Sequence, residues 1–423
     1  MLVSRRTRTV SAVALLLLLI VLVLSRQRFV AAVDRHQSND PAAPGDPHVY
    51  LPLIFKPFPI GQPLPPPVAK TTTPPLDAQM LADSAPWFWE LGLAKIGFHA
   101  GPGGNRDGIG DWMRSLDTAH VPFFIKSVDD AGPIFEAQEI MKASGVPHTL
   151  VYRTTTLGPN DGYDYDVPNY NLSPDEAALL HWQAHKAKFP PELDPKYVWL
   201  ETTNEVDQNR SEWLAEFALE TGRLALQDGY KWAAFSWSSG EPEKDVWESP
   251  KMLAFLRFAA EHPDDIAIAL HEYSYQLNSV GAGYPYRIGR FQALLDVCDK
   301  HNIPRPTILI TEWGWTYQEV PGPTEALSDM HWANWLYAAY PNVKGAATWY
   351  LGEGDTFGNI HNLTQLLIAP ATNYGLSNYF WVASGREPID HTLFPPPLPR
   401  PDPLEVLERE APHPKGRLGE RYR

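Results

Sequence analysis

The chain has little cysteine and a deficit of positive charge. Cys298 is the single cysteine among 423 residues, which excludes an internal disulfide and a cysteine-ligated metal cluster. Lysine and arginine number 35 against 50 aspartates and glutamates, giving a formal net charge of −15 at pH 7. Because nucleic acids and anionic membrane surfaces would repel such a chain, neither is expected as a partner, and neutral ligands are favoured.

The two ends of the chain differ from its middle. The apolar run VSAVALLLLLIVLVLS stands between the basic stretches RRTR and RQR. This pattern predicts an export segment over residues 1–32, and a cleaved signal peptide and an uncleaved membrane anchor both remain open. Proline density predicts a linker over residues 33–82 and an extended tail over 387–423. The domain between them is therefore expected outside the cytoplasm, secreted or tethered to a membrane.

Residues 83–386 alternate apolar strands with amphipathic segments, which is typical of βα units and a parallel sheet. Eight strands are predicted, in the order LAKIGFHA, VPFFIKSV, PHTLVYRT, YVWLETTNE, KWAAFSWSS, DIAIALHEYS, PTILITEWG and VKGAATWYL. Eight such units within about 300 residues predict an α/β fold, a (β/α)8 TIM barrel forming a single catalytic domain. Active sites of such barrels lie at the carboxyl ends of the strands, where this chain places polar and aromatic residues.

Two carboxylates are predicted at the mouth of this barrel. Glu205 follows Asn204 at the end of the fourth strand, in VWLETTNEVD. Alternate residues of a strand point to opposite faces. In the seventh strand Ile308, Ile310 and Glu312 share one face, which predicts that Glu312 also faces the mouth. Two facing carboxylates are what hydrolysis at an anomeric carbon needs, one to attack and one to protonate the leaving oxygen.

Alternation also sorts the sixth strand, IAIALHEYS. His271 and Tyr273 follow two alanines on one face and are predicted to point inward, where they can donate hydrogen bonds to Glu312. Glu272 lies on the other face, with isoleucine and leucine, and is discounted as a catalytic group. The alternative for His271 and Tyr273 is an ordinary place in the core.

Four strand ends resemble those of a known group of enzymes. ETTNEV on the fourth strand, HEY on the sixth, ITEWGW on the seventh and ATWY on the eighth resemble the clan A, cellulase-like retaining glycoside hydrolases, over roughly the whole barrel. The resemblance implies that Glu205 is the general acid/base, that Glu312 is the nucleophile, and that Asn204 binds the sugar 2-hydroxyl. Val206 departs from the pattern, since many members have proline there.

Further residues at strand ends are candidates for binding substrate. The aromatic candidates are platforms for sugar rings or packing residues: Trp237, Trp313, Trp315 and Trp349, the last at the position that the family also uses. The polar candidates are His99, Lys126 and Arg153, at the ends of the first three strands; the two cations bind substrate or form structural ion pairs, and His99 lines the pocket or only caps the barrel. Glu201 shares the inward parity of Glu205, and its charge predicts pairing with Lys126 or Arg153.

No cofactor and no metal site are predicted. DGYDYD at residues 161–166 lacks the full pattern of a calcium loop, and GPGGNRDGIG fits neither dinucleotide nor P-loop spacing. The sequence thus predicts a retaining, endo-acting O-glycosyl hydrolase whose partner is a β-linked polysaccharide or oligosaccharide. The alternative is a catalytically silent barrel that binds glycan at the cell surface.

Overall fold

The computed structural model describes residues 65–72, 76–86, 89–155, 164–277, 279–316, 318–354 and 357–383. The chain divides into two units between Gln62 and Pro63, and all described residues belong to the second. The predicted export segment, the linker as far as residue 64 and the predicted tail lie outside these ranges. Within them, no helix combines the length and the apolar character needed to cross a membrane.

Strands and helices alternate along most of the described chain. The strands are β1 (Val68–Thr71), β2 (Trp89–Gly92), β3 (Ile96–Ala100), β4 (Phe124–Val128), β5 (Thr149–Arg153), β6 (Val198–Glu201), β7 (Lys231–Trp237), β8 (Ile266–Tyr273), β9 (Thr307–Gly314), β10 (Val343–Thr348) and β11 (Asn378–Ala383). The α-helices are α1 (Ala78–Asp83), α2 (Ile109–Thr118), α3 (Gly132–Ser144), α4 (Pro174–Lys188), α5 (Ser211–Asp228), α6 (Lys244–Trp247), α7 (Pro250–Glu261), α8 (Phe291–Lys300), α9 (Pro323–Ala338), α10 (Ile360–Gln365) and α11 (Ile368–Gly375).

Strands β3 to β10 close into a parallel barrel in the order β10-β3-β4-β5-β6-β7-β8-β9. They are the eight predicted strands in their predicted sequence, so the (β/α)8 fold is confirmed. Side chains fill the barrel interior rather than leaving a pore: Phe124, Val151, Trp199, Ala233, Ala267, Ala269, Leu309 and Ala347. The alanines leave room for the two large rings, Phe124 and Trp199, within the same closed space.

The helices begin and end where local chemistry dictates. Helix α4 starts with a capping box, in which the Ser173 side chain and the Glu176 side chain each accept from the other's backbone N–H. Helix α5 ends at Gly229, whose φ of 77° a residue with a Cβ adopts only at a cost. The apolar faces of the helices then cover the outer faces of the barrel strands, which forms the main core.

A small antiparallel sheet lies outside the barrel, in the order β1-β11-β2. Phe380 and Val382 of β11 pack on Ala338 of α9, and the Trp335 indole N–H donates to the Pro67 carbonyl at 2.7 Å. Strand β1 and all but the last residue of helix α1 fall within the predicted linker 33–82, so part of that stretch is regular structure. All four side chains of β1 are exposed, so its sequence does not predict a strand. Its backbone groups instead form hydrogen bonds with β11.

Candidate active site

Most of the predicted site residues converge at the carboxyl ends of the barrel strands. The side chains that surround Glu312 come from several strands: His99 of β3, Lys126 of β4, Arg153 of β5, and His271 and Tyr273 of β8. Glu205 joins them from the turn after β6 through its contact with His271. The parity predicted for β8 is confirmed, because Glu272 points away from the mouth and accepts hydrogen bonds from Gly289 N and the Tyr337 hydroxyl.

A single ring nitrogen lies between the two predicted catalytic carboxylates. His271 Nδ1 is 3.4 Å from Glu205 Oε1 and 3.5 Å from Glu312 Oε2. Together these distances limit the separation of the two oxygens to about 7 Å. Carboxyl groups of retaining glycosidases are about 5–5.5 Å apart, and this upper limit for one oxygen of each group is compatible with that separation.

Cations and hydrogen-bond donors surround the Glu312 carboxylate. Its Oε2 accepts a hydrogen bond of 2.8 Å from the Tyr273 hydroxyl, and its Oε1 lies 3.3 Å from Lys126 Nζ and 3.9 Å from Arg153 Nη2. Burial on its own would raise the pKa of Glu312, but the nearby His271, Lys126 and Arg153 outweigh it and hold the pKa well below its usual range. Glu312 is therefore ionised at neutral pH.

Glu205 is held by its backbone as well as by its side chain. Its φ of 47° lies in the left-handed region, which costs a residue other than glycine about 1–2 kcal/mol. Its N–H donates to the Ser236 carbonyl at 2.8 Å, and its Oε1 accepts from the Ser238 hydroxyl at 2.9 Å. Both partners lie at the end of β7, so the neighbouring strand fixes the direction of this carboxylate.

An irregularity near the end of β7 reverses its alternation. Phe235 and Ser236 have φ of 76° and 50°, and the register with β8 shifts between Ala234 and Trp237. After this bulge Ser236 and Ser238 face the mouth, whereas Trp237 packs outside the barrel on Phe235 and Trp247. Trp237 is completely buried, so its predicted role as a sugar platform is wrong.

A second irregularity lies in β9 and explains how Glu312 reaches the mouth. Leu309 belongs to the barrel interior and the Thr311 hydroxyl donates to Glu201, so Ile308 and Ile310 face outward, opposite to the prediction. The register with β8 shifts between Leu270 and His271, which brings Glu312 to the mouth immediately after Thr311. Its predicted position is right, but regular alternation does not produce it.

The other aromatic candidates divide into packing residues and one residue near the mouth. Trp313 and Trp315 are buried and contact each other edge to face, and the Trp315 indole N–H donates to Asp329 at 2.7 Å. Their predicted contact with sugar is therefore wrong, because neither offers a free ring face. Trp349 is 8% exposed and meets Tyr273 edge to face with centroids 6.2 Å apart, which keeps it as a candidate platform beside Glu312.

Lys126 and Arg153 serve internal ion pairs. Lys126 is completely buried, and its Nζ lies 2.6 Å from Glu201 Oε2. Arg153 Nη1 donates to Asp166 Oδ1 at 2.6 Å, and its Nε lies 3.8 Å from Glu201 Oε2. The predicted pairing of Glu201 is thereby confirmed. Of the two roles predicted for Lys126 and Arg153, the structure supports the ion pairs, because a buried lysine held by two carboxylates cannot reach a substrate.

Two further predicted residues sit at the edge of this cluster. His99 Nδ1 lies 3.0 Å from its neighbour's carbonyl, Ala100 O, and its Nε2 faces Glu312 Oε1 at 3.8 Å. Burial, followed by the charge of Lys126, lowers the pKa of His99 well below its usual value, so its ring is neutral. Asn204 donates its backbone N–H to the Asp166 carbonyl at 2.7 Å, and its Oδ1 is buried with no hydrogen-bond partner among the described residues.

Several residues of the site are absent from the sequence prediction. Ser238 contacts Glu205, Ser236 and Thr311 contact Glu201, and Asp166 contacts Arg153. Ser238 could have been found by applying the strand-end rule to KWAAFSWSS, whereas the other three depend on the two bulges and on a loop contact. Across the described ranges, no group of three or more His, Cys, Asp or Glu side chains is arranged to hold a metal ion.

Comparisons with known proteins add little to this geometry. No protein-family model matches the chain, and no curated protein does. Among solved structures, a family 5 glycoside hydrolase from Prevotella bryantii in complex with a xyloglucan tetradecasaccharide matches with a TM-score of 0.37 and 12% identity, covering 72% of this chain and 100% of that one. A mandelate racemase/muconate lactonizing protein from Herpetosiphon aurantiacus matches with a TM-score of 0.26 and 13% identity, covering 60% and 54%. Likenesses this distant carry no argument about function.

Proposed function

We propose that this chain is a retaining glycoside hydrolase that cleaves β-linked glycan outside the cytoplasm. The observation that carries the proposal is the carboxylate pair at the barrel mouth, with Glu205 Oε1 and Glu312 Oε2 at 3.4 and 3.5 Å from one histidine nitrogen. These two oxygens are at most about 7 Å apart, which leaves both carboxylates within reach of one glycosidic bond and is compatible with direct attack of one of them on the anomeric carbon.

The surroundings of the two carboxylates support different roles for them. Glu312 faces Lys126 and the Tyr273 hydroxyl, and its depressed pKa keeps it ionised as a nucleophile must be. Glu205 faces the hydroxyl of Ser238 and the ring of His271, and it takes the role of general acid/base. A pair of carboxyl groups in unlike environments is the arrangement that separates an acid from a nucleophile.

The reaction then proceeds in two displacements. Glu312 attacks the anomeric carbon while protonated Glu205 gives its proton to the leaving glycosidic oxygen, so that a glycosyl ester forms and the glycosidic bond breaks. Glu205, now ionised, takes a proton from water as the water oxygen attacks the same carbon and releases Glu312. The product sugar keeps the anomeric configuration of the substrate.

A neutral glycan suits this site better than an acidic one. Lys126 and Arg153 are already held by Glu201, Glu312 and Asp166, which leaves neither cation for a sugar carboxylate. The buried Oδ1 of Asn204 can accept a hydrogen bond from a donor such as a sugar hydroxyl. Trp349 lies next to Tyr273 at the mouth and keeps a small exposed area, against which a pyranose ring can pack.

Hydrolysis by the full-length chain tests the proposal. We expect reducing sugar to be released from at least one β-linked glucan, mannan or related neutral polysaccharide. Glu205→Gln should lower kcat by roughly 10²–10⁴-fold, as loss of a general acid does, and Glu312→Gln should abolish turnover. Glu261→Gln, an exposed carboxylate at the end of α7 and away from the strand ends that form the mouth, is the matched control and should keep wild-type activity.

Two outcomes would contradict the proposal. Full activity in either Glu205→Gln or Glu312→Gln would refute the mechanism. Binding of glycans without any hydrolysis by the wild-type chain would instead support a silent glycan-binding barrel. Proton NMR of the first product formed distinguishes retention, which we expect, from inversion.

Endo action is a separate part of the proposal and has its own test. A chain-length series of β-linked glucose and mannose oligomers should give kcat/KM values that rise with length, because contacts with remote sugars lower the barrier at the scissile bond. A flat dependence on length, or activity confined to aryl monoglycosides, would point to a closed, exo-acting pocket.

A further inference from the structure

We propose that Glu201 is a positioning residue that sets the reactivity of Glu312 by sharing Lys126 and Arg153 with it. This inference rests on the proposed function, because it assigns a role within the same site. Glu201 is completely buried below the mouth and cannot touch a substrate, so any effect on the reaction passes through the two cations.

The distances show how the cations are shared. Lys126 Nζ lies 2.6 Å from Glu201 Oε2 and 3.3 Å from Glu312 Oε1. Arg153 lies 3.8 Å from the same Glu201 oxygen through Nε and 3.9 Å from the same Glu312 oxygen through Nη2. Each cation is thus placed between the two carboxylates, and Lys126 is nearer to Glu201.

Hydrogen bonds keep Glu201 in this place. The Ser236 hydroxyl donates to its Oε1 at 2.5 Å and the Thr311 hydroxyl donates to the same atom at 2.6 Å. Both donors come from the irregular segments of β7 and β9, which also aim Glu205 and Glu312. With Oε1 held by two hydroxyls, Oε2 is turned towards Lys126 and Arg153.

The charge balance gives this arrangement a consequence for catalysis. Two cations, Lys126 and Arg153, face the buried carboxylates Glu201 and Glu312, with Asp166 also on Arg153. Without Glu201 both cations would act on Glu312 alone, and a carboxylate stabilised more strongly in its ground state is a poorer nucleophile. Without Lys126 the opposite follows, since Glu312 would lie near an unscreened Glu201 and would hold a proton more readily.

Every titratable or charged group found facing Glu312 in the described residues enters this balance. They are His99 from β3, Lys126 from β4, Arg153 from β5, Asp166 from the loop after β5, Glu201 from β6, Glu205 after β6, His271 and Tyr273 from β8, and Tyr350 after β10. Only Glu201 and Lys126 are buried too deeply to contact substrate while carrying a full charge. Substituting these two therefore changes the field at Glu312 without removing a substrate contact.

Two single variants should move the reaction in opposite directions. Lys126→Met should shift the acid limb of the kcat/KM profile to higher pH by about one unit or more, as the loss of a neighbouring opposite charge does. Glu201→Gln keeps an oxygen for Ser236 and Thr311 but loses its charge. It should leave the acid limb at or below its wild-type position and lower the plateau of kcat by about tenfold.

The double variant Lys126→Met, Glu201→Gln completes the test. It removes one charge of each sign, so its acid limb should return towards the wild-type position, even where Lys126→Met alone folds poorly. Asp296→Asn is the matched control. It neutralises another buried carboxylate paired with a lysine, Lys244, but on helices α6 and α8, and it should leave the profile unchanged. Shifts of both single variants in the same direction, or of neither, would overturn the inference.

Failure of the proposed function is recognised separately. If the wild-type chain hydrolyses no glycoside, carbon-13 NMR of chains labelled at the glutamate carboxyl replaces the kinetic profile. The Glu312 resonance is the one absent from Glu312→Gln. The pH midpoint of the Glu312 carboxyl titration should rise in Lys126→Met and fall back in the double variant. An unchanged midpoint in Lys126→Met would overturn the inference.

Discussion

At the scale of single residues, the hydrogen bond from Tyr273 to Glu312 is shorter than the contacts of this carboxylate with Lys126, Arg153 and the two histidines. Hydrogen bonds to charged groups contribute about 1.5–3 kcal/mol, which corresponds to about one to two pH units in the pKa of the acceptor. The variant Tyr273→Phe removes only the donor oxygen, which lies 2.8 Å from Glu312 Oε2. We expect the acid limb of kcat/KM to move up by that amount. Tyr379→Phe, on the small outer sheet, is the control, and an unmoved limb in Tyr273→Phe would contradict the expectation.

The tryptophans give a second prediction at this scale. Trp237→Ala removes a completely buried indole and should lower the free energy of unfolding by about 3–5 kcal/mol without raising KM. Trp349→Ala should raise KM by roughly two- to tenfold, because an aromatic contact is worth about 0.5–1.5 kcal/mol beyond buried area. Urea unfolding and steady-state kinetics on both variants check this. A raised KM in Trp237→Ala with unchanged stability would reverse the assignment.

The sequence predicts individual residues well only where the strands are regular. Their place at the strand ends puts His99, Lys126 and Arg153 around the mouth, and alternation in β8 correctly turns His271 inward. It fails at Trp237 and misplaces Ile308 and Ile310, because one bulge reverses the faces of a whole strand end. Each bulge depends on pairing with a neighbouring strand, and nothing in KWAAFSW or ILITEW marks its position.

At the scale of elements, Glu272 connects the outer face of β8 to the start of helix α8. Its carboxylate accepts from Gly289 N at 2.8 Å and from the Tyr337 hydroxyl at 2.7 Å, with Phe291 N at 3.5 Å. Burial raises the pKa of Glu272 to about 7, although these donors act in the opposite direction. The helix is therefore attached to the strand that carries His271 and Tyr273 by a group that titrates near neutrality.

This attachment predicts a pH dependence of stability. Between the ordinary pKa of 4.5 and about 7, the folded carboxyl keeps a proton that the unfolded one has lost. Folding then binds protons, so the free energy of unfolding falls as pH rises through this window. Glu272→Gln should flatten the decline in urea unfolding measured from pH 4.5 to 8, and Glu325→Gln, at an exposed position of α9, should not. A decline that persists in Glu272→Gln would exclude this residue as its source.

The sequence identifies the barrel strands but not the outer sheet, and the difference is physical. Each barrel strand has an apolar inner stretch that only burial explains. Strand β1 is four residues long with every side chain exposed, and its reason to be a strand is the backbone of β11 beside it. Such a strand leaves no hydrophobic pattern, and in a proline-rich stretch it reads as linker.

At the scale of the whole molecule, the net charge of −15 bears on the choice of substrate. A carboxylated glycan should be repelled at low salt, since the cations at the mouth are engaged by Glu201, Glu312 and Asp166. Raising the ionic strength from 0.01 M to 0.15 M shortens the screening length from about 30 to about 8 Å. We expect kcat/KM for a carboxylated glycan to rise over this range while that of its neutral parent stays constant. Faster cleavage of the carboxylated form at low salt would contradict a preference for neutral substrates.

The two bulges have a consequence for protein design. Glu205 takes its direction from the main chain of Ser236, and Glu312 reaches the mouth only because β9 slips past β8 by one place. If these glutamates were copied onto a perfectly regular eight-stranded barrel, at least one of them would point away from the mouth. The design would have to include the two bulges, because the backbone at these bulges sets the directions of the two glutamate side chains.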